Sequence, residues 1–175
     1  DQISPYDLYL KFLYEYFKED INADQEIDVY LPEGFLELAY QKQAVTAARK
    51  ILDAYNGVFL ADVVGLGKTI IACAVARELR KRGLVICPPG LMGDKDKKSG
   101  WRMYLEQFGL TDWDVRSAGD LENTAEYVQR INDFEVVIID EAHRFRNQDT
   151  KDYEYLKNIS RNKIVILLTA TPFNN

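Results

Sequence analysis

The sequence predicts an α/β domain in which a mainly parallel sheet is covered by helices. From about residue 36 onward, short apolar segments of strand character alternate with segments of helical periodicity. Two of the strands, VVIID and IVILL, are apolar on both faces, which is typical of parallel strands buried between helices. A length of 175 residues suits one such domain better than two.

The composition excludes several classes of protein. Hydrophobic residues make up 47% and charged residues 29%, so the chain can bury a core and is not a disordered tail. A net charge of −6 argues against a generally basic nucleic-acid coat, but it allows a local basic groove. No apolar run approaches the ~20 residues of a membrane span and no signal peptide is visible, so we expect no membrane partner. Cys73 and Cys87 lie in apolar segments without metal-ligand spacing, and we interpret them as buried small hydrophobes in a reducing cytosol.

Residues 1–35 are predicted to form an amphipathic helix and a linker, and residues 36–175 the main domain. Ser4, Pro5 and Asp7 are typical of a helix start. Apolar side chains then recur at helical spacing, at Leu8, Phe12, Leu13, Tyr16 and Phe17. Because the chain begins without Met and stops just after an apolar strand, we expect it to be a fragment of a longer protein.

Within the main domain the order of elements follows from periodicity and breakers. The helical segments carry apolar residues every three or four positions, and the strand segments are short apolar runs. In chain order the pattern predicts a helix at 38–54, a strand at 58–62, a helix at 68–82, a strand at 84–88, a helix at 101–109, a weak strand at 114–118, a helix at 120–132, a strand at 135–141, a helix at 150–160 and a strand at 163–170.

The stretch ADVVGLGKT has the context of a phosphate-binding loop, because it lies between a predicted strand and a predicted helix. Gly65 and Gly67 let the backbone turn tightly with its N–H groups pointing inward. The next helix adds the positive end of its dipole. Lys68 places an ammonium against the β- and γ-phosphates, and the Thr69 hydroxyl can ligate Mg²⁺. The alternative is a chance glycine turn before a helix.

One position departs from the general pattern GxxxxGK[ST], since Asp62 stands where that pattern has its first glycine. The residues predicted to contact a nucleotide here are Val64, Gly65, Leu66, Gly67, Lys68, Thr69 and Ile70.

The tetrapeptide DEAH follows the strand EVVII, so its two carboxylates emerge at the C-terminal end of a buried strand. In an open parallel sheet, ligands bind at that edge. Asp140 is predicted to hold Mg²⁺ and Glu141 to polarise the attacking water, with Lys68 as the third catalytic residue. The alternative is an acidic pair at the N-terminus of a helix.

His143 is the only histidine in the chain. A metal ligand or catalytic base would usually have further His or Cys partners, and the sequence offers no such cluster. We therefore interpret His143 as a hydrogen-bonding residue that couples the site to its surroundings.

ADVVGLGKT, DEAHRFRN and LLTATPFNN together resemble motifs I, II and III of superfamily 2 helicases. More narrowly they resemble the Swi/Snf-type DNA translocases, whose motifs usually read DxGLGKT, DEAHRxKN and LTxTPxxN. The resemblance covers residues 36–175 and implies a three-layer RecA-like P-loop NTPase domain. It also implies a second RecA-like domain, outside this chain, that closes on the nucleotide and supplies arginine fingers. TAT at 169–171 and VV at 63–64 make these motifs more similar to those of the prokaryotic relatives.

The resemblance implies further roles. Gln41 matches the glutamine that reads the adenine edge, although local chemistry alone makes it an exposed helix residue. VICPPGLM matches motif Ia, whose loop faces nucleic acid, and WRMYLEQF matches the tryptophan-containing segment after it. Thr169 and Thr171 match the motif that links hydrolysis to strand contact, but such hydroxyls also satisfy strand ends. Asn147 and Asn175 match family asparagines near the site.

We call residues 93–100, GDKDKKSG, the lysine loop. Lys95, Lys97 and Lys98 beside motif Ia favour a contact with a phosphate backbone. The two acids within the loop favour the alternative, a solvated and mobile loop.

The sequence thus predicts the ATP-binding half of an ATP-dependent translocase on double-stranded DNA, using ATP and Mg²⁺. Without the second domain, we expect this chain to hydrolyse ATP very slowly. The alternatives are a motor subunit of a restriction or phage-defence complex with a nuclease partner, an RNA helicase, a nucleotide-gated scaffold without turnover, and a P-loop ATPase such as a metabolic kinase. The expected location is the bacterial or archaeal cytoplasm, at the nucleoid.

Overall fold

The computed structural model describes residues 39–61, 67–147 and 150–169. Several sequence-based predictions concern residues outside these ranges: the N-terminal amphipathic helix, residues 62–66 of the phosphate loop, Thr171 and Asn175. The side chains of Gln41 and Asn147 are likewise outside the description, although the backbone there is helical.

In the described residues, α-helices and β-strands alternate along the chain, beginning with a helix. The helices are α1 (Ala39–Tyr55), α2 (Lys68–Leu79), α3 (Gly100–Gln107), α4 (Leu121–Ile131) and α5 (Thr150–Ser160). The strands are β1 (Gly57–Ala61), β2 (Gly83–Cys87), β3 (Asp114–Ser117), β4 (Val136–Ile139) and β5 (Ile164–Thr169). Two short 3₁₀ helices, Pro89–Leu91 and Ala142–Asn147, follow β2 and β4.

The five strands form one sheet in the order β1-β5-β4-β2-β3, and every neighbouring pair is parallel. Parallel crossovers are right-handed, so this order puts α2 and α3 on one face and α4 and α5 on the other. The contacts agree, because α2 packs against α1 and α3 while α4 packs against α5. The predicted α/β fold, with helices flanking a parallel sheet, is confirmed.

The core is centred on β2 and β4, in which every residue is buried. This explains why VVII reads as a continuous apolar run, since both of its faces are covered. Cys73 and Cys87 are fully buried and free, as predicted. Burial raises the pKa of both thiols, that of Cys87 to about 12.

Helix α2 is shorter than the sequence predicted, since it ends at Leu79 and not at residue 82. Arg80 adopts a left-handed conformation with φ 54°, and its N–H donates to the Arg77 carbonyl. The helical pattern of the sequence continues through the basic residues 80–82, but the chain must turn there to begin β2 at Gly83. The strand predicted at 135–141 ends earlier, at Ile139, and the 3₁₀ helix that begins at Ala142 was not predicted.

Asparagines end two of the helices. Asn56 after α1 and Asn132 after α4 have φ values of 56° and 48°. Their N–H groups donate to the carbonyls of Leu52 and Val128, at 2.9 and 2.8 Å. Asparagine tolerates this left-handed conformation better than most residues, so both positions stop a helix at low cost.

None of the helices in the described ranges combines the length and apolar character that crossing a membrane requires.

We predict that Gly83→Ala destabilises the fold, because β2 approaches its neighbours closely at this residue. A Cβ at Gly83 would lie 2.6 Å from the Trp113 ring and 2.6 Å from the Val136 carbonyl oxygen. We expect urea denaturation to show a free energy of unfolding lower by about 1–3 kcal/mol. Gly90→Ala is the matched control, since its Cβ would meet nothing within 4 Å. Equal losses in the two variants would contradict this packing.

Candidate functional site

The predicted site residues that the structure describes lie at the C-terminal edge of the sheet. Ala61, which ends β1, pairs with Thr169, which ends β5. Ile139, which ends β4, pairs with Leu167 of β5. The loop after β1 and the carboxylate Asp140 after β4 therefore emerge at the same edge, where open α/β sheets bind ligands.

The end of the phosphate loop has the predicted strand–loop–helix setting. Gly67 lies in the left-handed region with φ 70° and ψ 46°, which favours glycine because it has no Cβ. Its carbonyl accepts the N–H of Ile71 at 3.1 Å, and Lys68 is the first residue of α2. Lys68 and Thr69 are half-buried. Ile70 packs against the core, so a nucleotide contact at this position would use its backbone.

Asp140 is the best-defined polar group of the site, with only 4% of its surface exposed. One carboxylate oxygen, Oδ2, accepts the indole N–H of Trp101 at 2.9 Å. The other, Oδ1, accepts the backbone N–H of Glu141 at 2.8 Å. The Asp140 N–H donates to the Ile86 carbonyl at 2.8 Å, which fixes the backbone to β2. Two donors therefore set the orientation of this carboxylate, and a third bond fixes its backbone.

The electrostatics of Asp140 reflect a charge taken out of water. Burial raises the pKa of Asp140, because the ionised form loses hydration. The N–H groups of Trp101 and Glu141 and the positive charge of Lys68 act in the opposite direction. Lys68 and Asp140, which belong to two different motifs of the sequence, are thus near enough to interact electrostatically.

Glu141 has an unusual backbone and a charged partner. Its φ is 54°, a left-handed value that is uncommon for a residue with a Cβ and that often occurs at functional sites. Its Oε2 accepts from Arg144 Nε at 2.7 Å, and His143 Nε2 lies 3.9 Å from the same oxygen. The sequence analysis missed the pairing with Arg144, although a spacing of three residues is the signal that could have found it.

His143 and Thr169 lie in direct contact. His143 Nδ1 and Thr169 Oγ1 are 2.8 Å apart, and the tautomer of the imidazole decides which of the two donates. This contact joins the 3₁₀ helix after β4 to the last residue of β5. The structure brings these two predicted coupling residues together, and their coupling role stays a prediction.

The oxygen groups of the site fit Mg²⁺. Within the described ranges there is no cluster of three His, Cys, Asp or Glu that could hold a metal ion by itself. Mg²⁺ does not need one, because it usually binds through one or two carboxylates, substrate phosphates and water. The Asp140 carboxylate accepts one N–H on each oxygen and keeps further lone pairs that could bind a metal ion. Thr69, in the first turn of α2, offers a hydroxyl oxygen at the same edge of the sheet.

An apolar cavity of about 390 Å³ lies elsewhere, between the end of α1 and the face of α5. It is lined by side chains such as Tyr55, Leu156 and Leu167 and by none of the predicted site residues. The chemistry of the site is therefore not located at this cavity.

Comparison with known proteins gives matches along most of the chain. The family described as "Type III restriction enzyme, res subunit" matches residues 113–174. The chain is 33% identical over 162 residues to "Uncharacterized ATP-dependent helicase YqhH" of Bacillus subtilis (strain 168), which covers 84% of this chain and 28% of that protein. It is 28% identical over 167 residues to "Chromodomain-helicase-DNA-binding protein 1-like" of Danio rerio, which covers 78% of this chain and 16% of that protein.

A third relative belongs to the group that the sequence motifs resemble. The chain is 29% identical over 150 residues to "SWI/SNF-related matrix-associated actin-dependent regulator of chromatin subfamily A containing DEAD/H box 1 homolog" of Drosophila melanogaster, covering 69% of this chain and 18% of that protein. The chain thus spans less than a third of the length of these relatives. The motifs, the parallel sheet that carries them and the relatives agree in indicating a superfamily 2 helicase of the Swi/Snf type.

Proposed function

We propose that this chain is the ATP-binding half of an ATP-dependent motor that moves along double-stranded DNA. The observation that carries the proposal is that two motifs meet at one edge of the sheet: the buried Asp140 carboxylate follows β4, and Lys68 begins α2 and acts electrostatically on that carboxylate. An acidic and a basic group arranged in this way suit the phosphates and the metal ion of a nucleotide.

In the proposed complex the start of α2 holds the phosphates. Gly67 brings the backbone into the helix, whose N-terminal N–H groups favour negative charge, and Lys68 adds an ammonium. Bound Mg²⁺ would neutralise charge on the β- and γ-phosphates, with Asp140 and Thr69 as its protein oxygen ligands. Asp140 needs little reorganisation for this role, because two N–H donors already fix its carboxylate.

Glu141 is the proposed base that accepts a proton from the attacking water. Its Oε2 accepts from Arg144 Nε, and loosening that contact would leave the full capacity of this oxygen for the water. Arg144 is 59% exposed, and an exposed ion pair is weak, at about 0–1 kcal/mol, so loosening it costs little. The contact between His143 and Thr169 then links the base to the end of β5, which leads into the predicted third motif.

A DNA substrate is proposed from the family and from the lysine loop. The Danio rerio relative is named a chromodomain-helicase-DNA-binding protein. In the loop, Lys97 pairs with Glu106 at 3.1 Å, whereas Lys95 and Lys98 are exposed and form no ion pair within the described ranges. Such lysines suit a phosphate backbone, with recognition that is independent of sequence and sensitive to salt.

We further propose that residues 36–175 are the first of two RecA-like domains of one longer protein. The support is the short span of the chain relative to its relatives together with the motifs it carries. The second domain would close on the nucleotide and supply arginine fingers, so that each cycle of closure and reopening shifts the grip on DNA. Such a motor would work at the nucleoid, in the cytoplasm of a bacterium or archaeon.

A motor subunit of a restriction or phage-defence complex is the second candidate function. The family matched at residues 113–174 is named for a restriction enzyme subunit, which favours this setting. The ATPase chemistry would be the same, and translocation would feed a nuclease in the same chain or in a partner. A scaffold without turnover is disfavoured, because Lys68, Asp140 and Glu141 are all present.

The test of the proposed function is ATP hydrolysis by the full-length protein, titrated separately with duplex DNA, single-stranded DNA and RNA. We expect the strongest stimulation with duplex DNA and none in the Lys68→Ala variant, which lacks the phosphate-binding ammonium. Stronger stimulation by RNA would move the protein to the RNA helicases. If no nucleic acid raises the rate, the motor function is wrong.

We also predict that the backbone of Glu141 trades stability for function. Glu141→Gly and Glu141→Ala both remove the base and should abolish hydrolysis. A left-handed φ costs a residue with a Cβ about 1–2 kcal/mol, and glycine avoids this cost. The greater conformational entropy of glycine in the unfolded chain lowers the stability of the glycine variant by about 0.4–1 kcal/mol. Glu141→Gly should therefore be the more stable variant by up to about 1.6 kcal/mol, measured by urea denaturation. A more stable Glu141→Ala would show that this backbone is not strained.

A further inference from the structure

Both tryptophans of the chain are buried, and their indole N–H groups have different partners. Trp113 Nε1 donates to the backbone carbonyl of Lys81 at 3.2 Å, away from the site. Trp101 is 2% exposed, and its Nε1 donates to the Asp140 carboxylate at 2.9 Å across a separation of 39 residues. A large indole thus reaches the acidic group at the centre of the proposed nucleotide site.

The Trp101 hydrogen bond is the constraint on the carboxylate group of Asp140 that comes from a distant part of the chain. The other donor to the carboxylate is the N–H of the next residue, Glu141, and it holds only Oδ1. The indole holds Oδ2, so the two donors together restrict rotation of the carboxylate. A hydrogen bond to an ionised acceptor that is removed from water is among the stronger ones in proteins.

Trp101 is itself held firmly. It is the second residue of α3 and follows directly on the lysine loop, which closes on itself at its base. A Cβ on Gly93 would lie 1.9 Å from the Ser99 carbonyl oxygen, and one on Gly100 would lie 2.5 Å from the Gly93 nitrogen. Arg102 Nη1 donates to the Gly93 carbonyl at 2.6 Å. The backbone that carries Trp101 therefore begins at a loop whose two ends pack closely together.

We propose that Trp101 is a positioning residue that acts through Asp140, holding a carboxylate oxygen ready for the Mg²⁺ of a bound nucleotide. This inference rests on the proposed function, since it concerns the same site. Trp101 touches neither the nucleotide nor the metal in this role. Its N–H replaces the water that would otherwise hydrate the carboxylate, and it keeps the oxygen in place before the ion arrives.

The first experiment compares Trp101→Phe with Trp113→Phe in the 175-residue chain. Both variants remove a buried indole and its N–H, and only the first removes a donor to Asp140. The probe is a fluorescent ATP analogue, mant-ATP, whose binding is measured in EDTA and then as a function of MgCl₂. We expect Trp101→Phe to need about tenfold more Mg²⁺ for half-saturation, because loss of a hydrogen-bond partner of a metal ligand usually lowers metal affinity by at least this factor. Binding in EDTA should stay within about twofold, and Trp113→Phe should match the wild type.

A second variant removes the N–H without changing the packing, in case Trp101→Phe fails to fold. In the Trp113→Phe chain Trp101 is the only tryptophan, so growth of a tryptophan auxotroph on the benzothiophene analogue replaces it alone. The analogue has sulfur in place of the N–H and nearly the same shape. We expect the same increase in the Mg²⁺ requirement as in Trp101→Phe.

An unchanged Mg²⁺ requirement in the analogue-substituted chain would overturn the positioning role. So would an equal increase in Trp113→Phe, because the effect would then belong to any lost core indole. If the wild-type chain binds no mant-ATP with or without Mg²⁺, the proposed nucleotide site itself is wrong and the inference falls with it.

Discussion

A carboxylate that is withdrawn from water must be paired, and this requirement organises the candidate site. Asp140 follows the central strand β4 and is nearly inaccessible to solvent. Burying an ionised group costs several kcal/mol unless hydrogen bonds and opposite charge compensate for it. The indole of Trp101, the N–H of Glu141 and the charge of Lys68 provide that compensation. Residues from the starts of α2 and α3 thereby act on one carboxylate at the edge of the sheet.

The same carboxylate shapes the turn that follows it. The N–H of Glu141 bonds back to Asp140 Oδ1, and the chain at Glu141 takes a left-handed φ before entering the 3₁₀ helix. That helix places His143 against Thr169 and Arg144 against the glutamate. The proposed metal-binding group, base and coupling residue thus come from four consecutive positions that include one tight turn. Backbone strain at such a position is common where function requires a fixed geometry.

The sequence was most informative where the controlling interactions are local. Continuous apolar runs predicted the buried strands. Because Asp140 follows one of these strands, the rule that ligands bind at the carboxyl ends of parallel strands predicted its place at that edge of the sheet. The early end of α2 was missed, because the left-handed turn at Arg80 is imposed by the following strand and leaves no break in the helical pattern. The strand order was also not predicted, since it depends on which faces pack together in three dimensions.

Long-range polar pairs could not be predicted from the sequence for a different reason. The motif comparison marked the segment that contains Trp101, but a partner 39 residues away leaves no periodic or spacing signal. The bond to Asp140 became visible only when α3 was placed beside the sheet. Arg144 differs, because its distance from Glu141 along the chain matches a helical contact and its charge is complementary.

The central claim is that Asp140 makes nucleotide binding depend on Mg²⁺, and titration calorimetry with ATP tests it most directly. The wild-type chain should bind ATP more tightly in MgCl₂ than in EDTA. Asp140→Asn keeps the shape of the side chain and removes its charge, so it should retain binding in EDTA through Lys68 and lose the gain from Mg²⁺. If Asp140→Asn gains as much affinity from Mg²⁺ as the wild type, this carboxylate does not hold the metal ion and the account of the site is wrong.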